Sequence, residues 1–398
     1  MTRFLRNDAV TLQEMLAEAG SRTAARCAGR HVVAIQDTTV LRSKGGGGSY
    51  LHAVIALDAQ DDAIIGLIDG RFLERGKGRR EQRKLLDIEQ KESFRWLEGA
   101  DQAASVCAGA ASVTVVADRE SDIFELFALR PERTDLVVRA AHDRSLAGGG
   151  ALFAALDGAP VAGKAELDLA AKPGRKRRTA KLEARFLPVS LACPKAGQRG
   201  DLPENVAVHM VDIREVEPPA GETGVHWRLV TTHRVTNAAE AFAVADLYRR
   251  RWAIEQLFRT MKTQGFDVEG LRIEEPAPRN RLVTAALIAA VAIQQLVHAR
   301  EGGCGPLRPL SDAFAPQDQL LLEACCAKLE GKTERQKNPH PKGTLAYAAW
   351  VCARLGGWTG YYGKPGPVVM LEGWLQFQDM KKGIELLGNA QEGTLHDV

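Results

Sequence analysis

Ser112-Val113-Thr114-Val115-Val116-Ala117-Asp118-Arg119-Glu120 is an apolar, β-branched run that stops at an acid. Its length and composition suit a buried strand. Ser121 to Leu129 then reads as a helix closed by Pro131, and Asp135 to Ala140 as a further strand. Upstream, His31 to Val40 is a second β-branched run with Asp37 near its end. Tyr50 to Leu57 and Ile64 to Leu73 read as two more strands, joined by the acidic turn Asp58 to Asp62, and residues 80 to 99 read as a helix. The glycine run Gly45 to Gly48 is a turn; with no GK[ST] and no helix start after it, it does not read as a phosphate-binding loop.

Three strands, a helix, a strand, a helix and a strand is the element order of a ribonuclease-H-like mixed sheet, in which functional side chains gather at strand ends. Residues 179 to 189 then alternate with period two, and Val206 to Ile213 and His226 to Thr232 are strand-like, which suggests an inserted antiparallel β module. From Asn280 onward the chain reads as mainly helical, with a Gly/Pro-rich break at 355 to 367 and a last helix near 370 to 387. The expected division is a short N-terminal helical segment (1–30), a catalytic domain in two parts (31–165 and 226–275), an inserted β module (166–225) and a helical C-terminal dimerisation region (276–398).

Composition narrows the class. The chain has 398 residues, 45% hydrophobic and 26% charged, which is ordinary for a globular protein. The net charge of +3 only mildly favours an acidic partner, but two basic runs, RGKGRREQRK at 75–84 and RKRR at 175–178, could each neutralise phosphates. A solvated charged loop is the ordinary alternative for either run. Seven cysteines, an odd number with no CxxC pair, argue against a disulfide frame or zinc site and fit a reducing cytoplasm. No secretory leader is visible in Met1 to Arg30. The most apolar segment, Ala285 to Ile293, is nine residues and reads as too short to cross a bilayer, so no membrane partner is expected.

A third acidic motif lies at Tyr248-Arg249-Arg250-Arg251-Trp252-Ala253-Ile254-Glu255. Read as one helix from Ala238 to Lys262, it places Tyr248, Arg251, Glu255, Arg259 and Lys262 on one arc, beside a core-facing arc of Leu247, Ile254, Leu257 and Met261. Each acid has an ordinary role open to it. Asp37 suits an Asx turn with Thr38 or Thr39, Asp118 an N-cap ahead of Ser121, and Glu255 an ion pair with Arg251. Together, two aspartates at strand ends and a glutamate on a helix suit a pair of Mg²⁺ ions, which need several hard oxygen ligands and serve in-line attack on a phosphodiester. Arg251 could grip a phosphate in bidentate fashion, Lys262 could act as a point charge, and Tyr248 could offer its hydroxyl.

The motifs IQDTT around Asp37, VADRESDIFE around Asp118 and Y-(2)-R-(3)-E-(6)-K at Tyr248, Arg251, Glu255 and Lys262 resemble those of the DDE transposases of insertion-sequence family four. The resemblance runs over nearly the whole chain. It implies catalytic and metal-holding roles for Asp37, Asp118 and Glu255, with two Mg²⁺ ions for which Mn²⁺ can substitute. It implies a homodimer acting on double-stranded DNA, both transposon ends and target, in the cytoplasm at the nucleoid. The implied chemistry is cut-and-paste transposition: nicking, hairpin formation and opening, then strand transfer by 3′-OH attack. Trp227, 21 residues before Tyr248, stands where this family carries a tryptophan that stacks on a flipped base; a core residue of the β module is its alternative role. The family's members begin with an additional helical domain for end recognition, and 36 residues precede Asp37 here, so a shortened N-terminus with weak preference for the ends is expected. Two other readings remain: a shortened, non-transposing chain that dimerises with and inhibits the full-length enzyme, and a ribonuclease-H-like nuclease without joining activity.

Overall fold

A computed structural model of the chain describes residues 2–42, 48–73, 88–171, 176–194, 202–300, 302 and 307–394. The N-terminal helices are α1 (Thr2–Leu5) and α2 (Leu12–Cys27), the second opened by a capping box in which Thr11 and Glu14 exchange hydrogen bonds. Strands β1 (His31–Arg42), β2 (Gly48–Asp58) and β3 (Ile64–Leu73) follow as an antiparallel meander. Then come α3 (Phe94–Val106), β4 (Ser112–Ala117), α4 (Phe124–Ala128), β5 (Thr134–Arg139) and α5 (Leu152–Asp157). Of the helix expected over 80–99, residues 80–87 lie outside the described residues; Ile88–Gln90 form a 3-10 turn, and the described helix begins at Phe94 and runs beyond residue 99 to Val106.

β4 adds to β1 in parallel, and β5 adds to β4 in parallel. The strands expected over 179–189, 206–213 and 226–232 are β7 (Arg178–Ala192), β8 (Asn205–Glu215) and β9 (His226–Thr231), preceded by β6 (Gly163–Leu169), which the sequence reading did not include. They continue the same sheet, because β9 pairs antiparallel with β5 through Val137–Thr231 and Val138–Val230. The result is one nine-stranded mixed sheet in the order β3-β2-β1-β4-β5-β9-β8-β7-β6.

Strand parity divides the core. Successive side chains face opposite sides of a sheet, so Val33 and Ile35 of β1 join Val116 and Val137 in one cluster, while Val32 and Ala34 join Val115 and Leu136 in the other. The second cluster lies under α3, α4 and α5. The first is covered by α6 (Ala238–Arg249), α7 (Trp252–Lys262) and part of α8 (Pro276–Ala299). Ala238 to Lys262 is thus two helices rather than one. Arg251 N–H donates to the Tyr248 carbonyl (3.0 Å) and Ala253 N–H to the Arg250 carbonyl (3.0 Å), and these three-residue closures tighten the turn and redirect the chain.

At 24 residues, α8 is long and apolar enough to cross a bilayer, so the nine-residue limit read from the sequence was too short. Its packing shows a core helix instead. Leu287, Ala290 and Val291 are buried against the sheet, Ile293 and Leu296 against the C-terminal helices, and the Gln295 amide donates to the Ile64 and Ile65 carbonyls. The C-terminal layer comprises α9 (Asp318–Leu329), α10 (Leu345–Leu355) and α11 (Pro367–Thr394).

Helices α10 and α11 cross almost in backbone contact. A Cβ on Gly373 would lie 1.7 Å from the Cys352 carbonyl oxygen, and one on Gly356 would lie 2.0 Å from that of Val369. Neither neighbour is a flexible side chain, so the helices themselves must separate. Gly373→Ala should cost about 1–3 kcal/mol by overpacking, read as a lower urea midpoint at unchanged slope. A variant as stable as the parent would refute this close crossing.

Candidate active site

Asp37 lies on β1, and Asp118 follows the last residue of β4. These strands are parallel neighbours, in register from His31–Ser112 to Ile35–Val116. Asp37 is two residues beyond Ile35, and Asp118 two beyond Val116, so parity sends both carboxylates to the face covered by α6 and α7. Thr38 N–H donates to Asp37 Oδ1 at 2.7 Å. At Asp118 the backbone carbonyl, not the side chain, accepts from Ser121 N–H (3.0 Å) and Ser121 Oγ (2.7 Å). The Asp118 carboxylate therefore serves no helix cap, and it accepts the Tyr248 hydroxyl at 3.0 Å.

Arg251 sits at the break between α6 and α7. Its guanidinium donates to Asp37 Oδ2 at 2.8 Å and to Glu255 Oε1 at 2.5 Å, and lies 4.0 Å from Asp118 Oδ2. One cation thus bridges three acids from β1, the β4 end and α7. Burial, assisted by the like charges of Asp118 and Glu255, outweighs Arg251 and the Thr38 N–H, and pushes the Asp37 carboxyl up to about 6. Burial also opposes charge on Arg251, yet Tyr248 and the three acids hold its pKa above the ordinary value. Burial, then the Asp118 charge, raises the Tyr248 phenol. Among the described residues no three His, Cys, Asp or Glu side chains are gathered tightly enough to hold an ion as they stand.

The other expected residues are placed differently. Tyr248 is buried, its hydroxyl committed to Asp118 rather than facing open space. Lys262 donates to the Val40 carbonyl (2.5 Å) and pairs with Glu269 (3.4 Å), tying the end of α7 to β1. Arg259 is exposed on α7. Trp227, on β9, is half-buried with its ring edge-on to Tyr248 (centroids 6.0 Å apart) and lines a cleft of about 510 Å³ with Arg249, Arg250 and Trp252. The basic run at 75–84 and Arg175 lie outside the described residues. Arg178 is held by Glu215 and Glu222, so it is an ion-pair partner in the sheet rather than an open contact.

Several residues went unforeseen. Trp252, next to Arg251, is 56% exposed. Arg95 of α3 reaches Thr38 Oγ1 (3.1 Å) and Glu120 (2.7 Å). Asp122 is fully buried, accepting the backbone N–H groups of Ala141 and His142 and the Arg144 guanidinium, which pins the loop after β5 beside Asp118. The DRESD run carried a signal for Asp122, since three acids in five residues, Asp118, Glu120 and Asp122, are too many for one cap.

A family model described as the transposase DDE domain matches residues 203–292. That stretch contains Trp227, Tyr248, Arg251, Glu255, Arg259 and Lys262, while Asp37 and Asp118 join the site from upstream strands. Domains of this kind have a ribonuclease-H-like fold and generally use divalent metal ions, typically Mg²⁺. The match indicates a DDE-type transposase, a polynucleotidyl-transferase enzyme whose partner is DNA.

Proposed function

We propose that Asp37, Asp118 and Glu255 are the catalytic, metal-holding carboxylates of a cut-and-paste transposase of insertion-sequence family four. The observation that carries this reading is the single Arg251 guanidinium bridging three acids from separate elements. The donor set fits Mg²⁺, because every candidate ligand is a hard carboxylate oxygen. The cluster is also short of positive charge, with three acids sharing one guanidinium and Asp37 raised to about 6. Two Mg²⁺ ions, or Mn²⁺ in their place, supply neutralisation of the attacking and leaving oxygens.

The protein's own residues do the rest. Tyr248 restrains the Asp118 carboxylate through its hydroxyl. Arg251, with two N–H donors now spent on acids, can turn its planar fork to a phosphate. Arg259 and Lys262 lie further along α7 and bind the DNA backbone, while Trp227 stacks on a flipped base. The reaction order is nicking, attack of the freed 3′-OH to form a hairpin, hairpin opening and strand transfer into target DNA. Residues 31–165 and 226–275 make up the catalytic domain, with 166–225 as its inserted β strands. Residues 276–398 supply the homodimer contact, a role supported by the exposed Ile384, Leu386 and Leu387 of α11 and Leu320 of α9. The enzyme works in the cytoplasm, at the nucleoid.

Asp37→Ala, Asp118→Ala and Glu255→Ala should each reduce Mg²⁺-dependent nicking of a plasmid carrying the element's own ends to background, with melting curves that remain cooperative. Retained nicking in any one would remove that acid from the catalytic set. A second expectation concerns stability without divalent ions. A carboxyl with its folded pKa raised from about 4 to about 6 binds its proton more tightly when folded. Its contribution is therefore full below about pH 4 and lost as pH rises through about 6. Asp37→Asn should be more stable than the parent by about 1–3 kcal/mol at pH 8 in EDTA, and nearly equal to it at pH 4. Urea melts at the two pH values check this, and a variant weaker than the parent at pH 8 would contradict it.

A further inference from the structure

On the sheet face opposite the three acids, β1, β2 and α3 hold a chain of polar groups whose donors and acceptors can be assigned one by one. The Trp96 carbonyl can only accept, so the group it meets at 3.2 Å is the Gln36 amide nitrogen. That fixes Gln36 Oε1 toward His52 Nε2, also at 3.2 Å, and an amide oxygen only accepts. His52 must then carry its proton on Nε2, leaving Nδ1 as the acceptor for the Thr38 hydroxyl at 2.9 Å. With its proton committed to His52, Thr38 Oγ1 accepts from Arg95 Nε at 3.1 Å. The far end of the Arg95 guanidinium reaches Glu120, two residues after Asp118, at 2.7 Å.

Two further observations show that the arrangement is built. Burial, together with the nearby Arg95 and Arg71 charges, lowers the His52 pKa to about 3, so the ring is the neutral tautomer that the chain requires. Helix α3 passes close enough that a Cβ on Gly99 would lie 2.3 Å from Gln36 Oε1 and 3.2 Å from His52 Nε2. Only glycine at that position leaves room for both groups.

Thr38 is the point where this chain meets the acids. Its side chain faces the relay, while its backbone N–H donates to Asp37 Oδ1 on the other side of the strand. We propose that Gln36, His52, Thr38 and Arg95 form a positioning relay that reaches through β1 to orient the Asp37 carboxylate for a divalent ion, and that holds Glu120 beside the Asp118 loop. None of the four touches the reacting atoms; they act through Asp37 and through the loop after β4. The inference rests on the metal-holding role of Asp37. Outer partners that orient a ligand typically contribute 10–100-fold to metal affinity or activity.

Mn²⁺ binding to the full chain, followed by electron paramagnetic resonance of the free ion, gives a readout separate from catalysis. Plasmid nicking and thermal melting run alongside. Thr38→Val keeps the side-chain shape and removes the hydroxyl, Thr38→Ser restores the hydroxyl, and Gly99→Ala pushes on Gln36 and His52 from a distance. Thr38→Val and Gly99→Ala should each weaken Mn²⁺ binding about tenfold or more, with nicking falling in step at saturating DNA. Thr38→Ser should bind within about twofold of the parent, an allowance well inside that range. Parental Mn²⁺ affinity in Thr38→Val would overturn the relay, and so would equal losses in Thr38→Val and Thr38→Ser, which would assign the effect to methyl packing. Asp37→Ala serves as the reference. If it binds Mn²⁺ as the parent does, the site assignment itself fails. If it loses binding while Thr38→Val does not, only the relay fails.

Discussion

Three carboxylates crowded around one guanidinium are the constraint on which the arrangement of this molecule turns. Charges brought together away from water cost free energy unless they are paired. Arg251 pairs incompletely, since it meets Asp37 and Glu255 directly and Asp118 only at 4.0 Å. Burial first, and then the like charges of Asp118 and Glu255, raise the Asp37 pKa against the opposing pull of Arg251. A stable fold would gain from removing one acid, and a site built to receive positive charge would keep all three.

Delivering the acids to one point requires agreement among distant parts of the chain. Parallel pairing of β1 with β4 sets two aspartates side by side, and strand parity turns both to the same face. The sheet alone cannot provide the third acid. It comes from α7, whose direction depends on the break after Arg249 that lets Tyr248 reach Asp118 while Arg251 reaches Asp37. A continuous helix would keep Tyr248, Arg251 and Glu255 on one arc. It would not, by itself, allow Tyr248 to be buried while Arg251 and Glu255 remain at the cleft. Helix α8 then fixes this layer, since one helix packs on both the sheet and the C-terminal helices.

Much of this was legible in the sequence, for physical reasons. β-branched runs carrying Asp37 and leading up to Asp118 announce buried strands bearing acids, though β1 continues five residues past Asp37 to Arg42 and only Asp118 stands at a strand end. The spacing around Glu255 announces a helix carrying a cation one turn away. What the sequence hid depends on contacts between distant segments. The break at Arg250 and Arg251 carries no proline or glycine, so a period-3.6 reading runs straight through it. Strands β6 to β9 alternate as an independent hairpin array would, and nothing local reveals that β9 pairs with β5. The hydroxyl of Tyr248 reads as a phosphate ligand until Asp118, 130 residues away, is seen to take it. Gln36 and Thr38 flank Asp37 in the IQDTT motif, but His52 and Arg95 lie on two other elements, and nothing local ties them to it.

The central claim is that Asp37, Asp118 and Glu255 share divalent ions in place of full reliance on Arg251. Anomalous diffraction from crystals soaked in Mn²⁺ tests it most directly. The expected result is anomalous density within coordination distance of all three carboxylates, with the Arg251 guanidinium withdrawn from at least one of them. Anomalous density elsewhere on the molecule, with Arg251 still bridging Asp37 and Glu255, would contradict it.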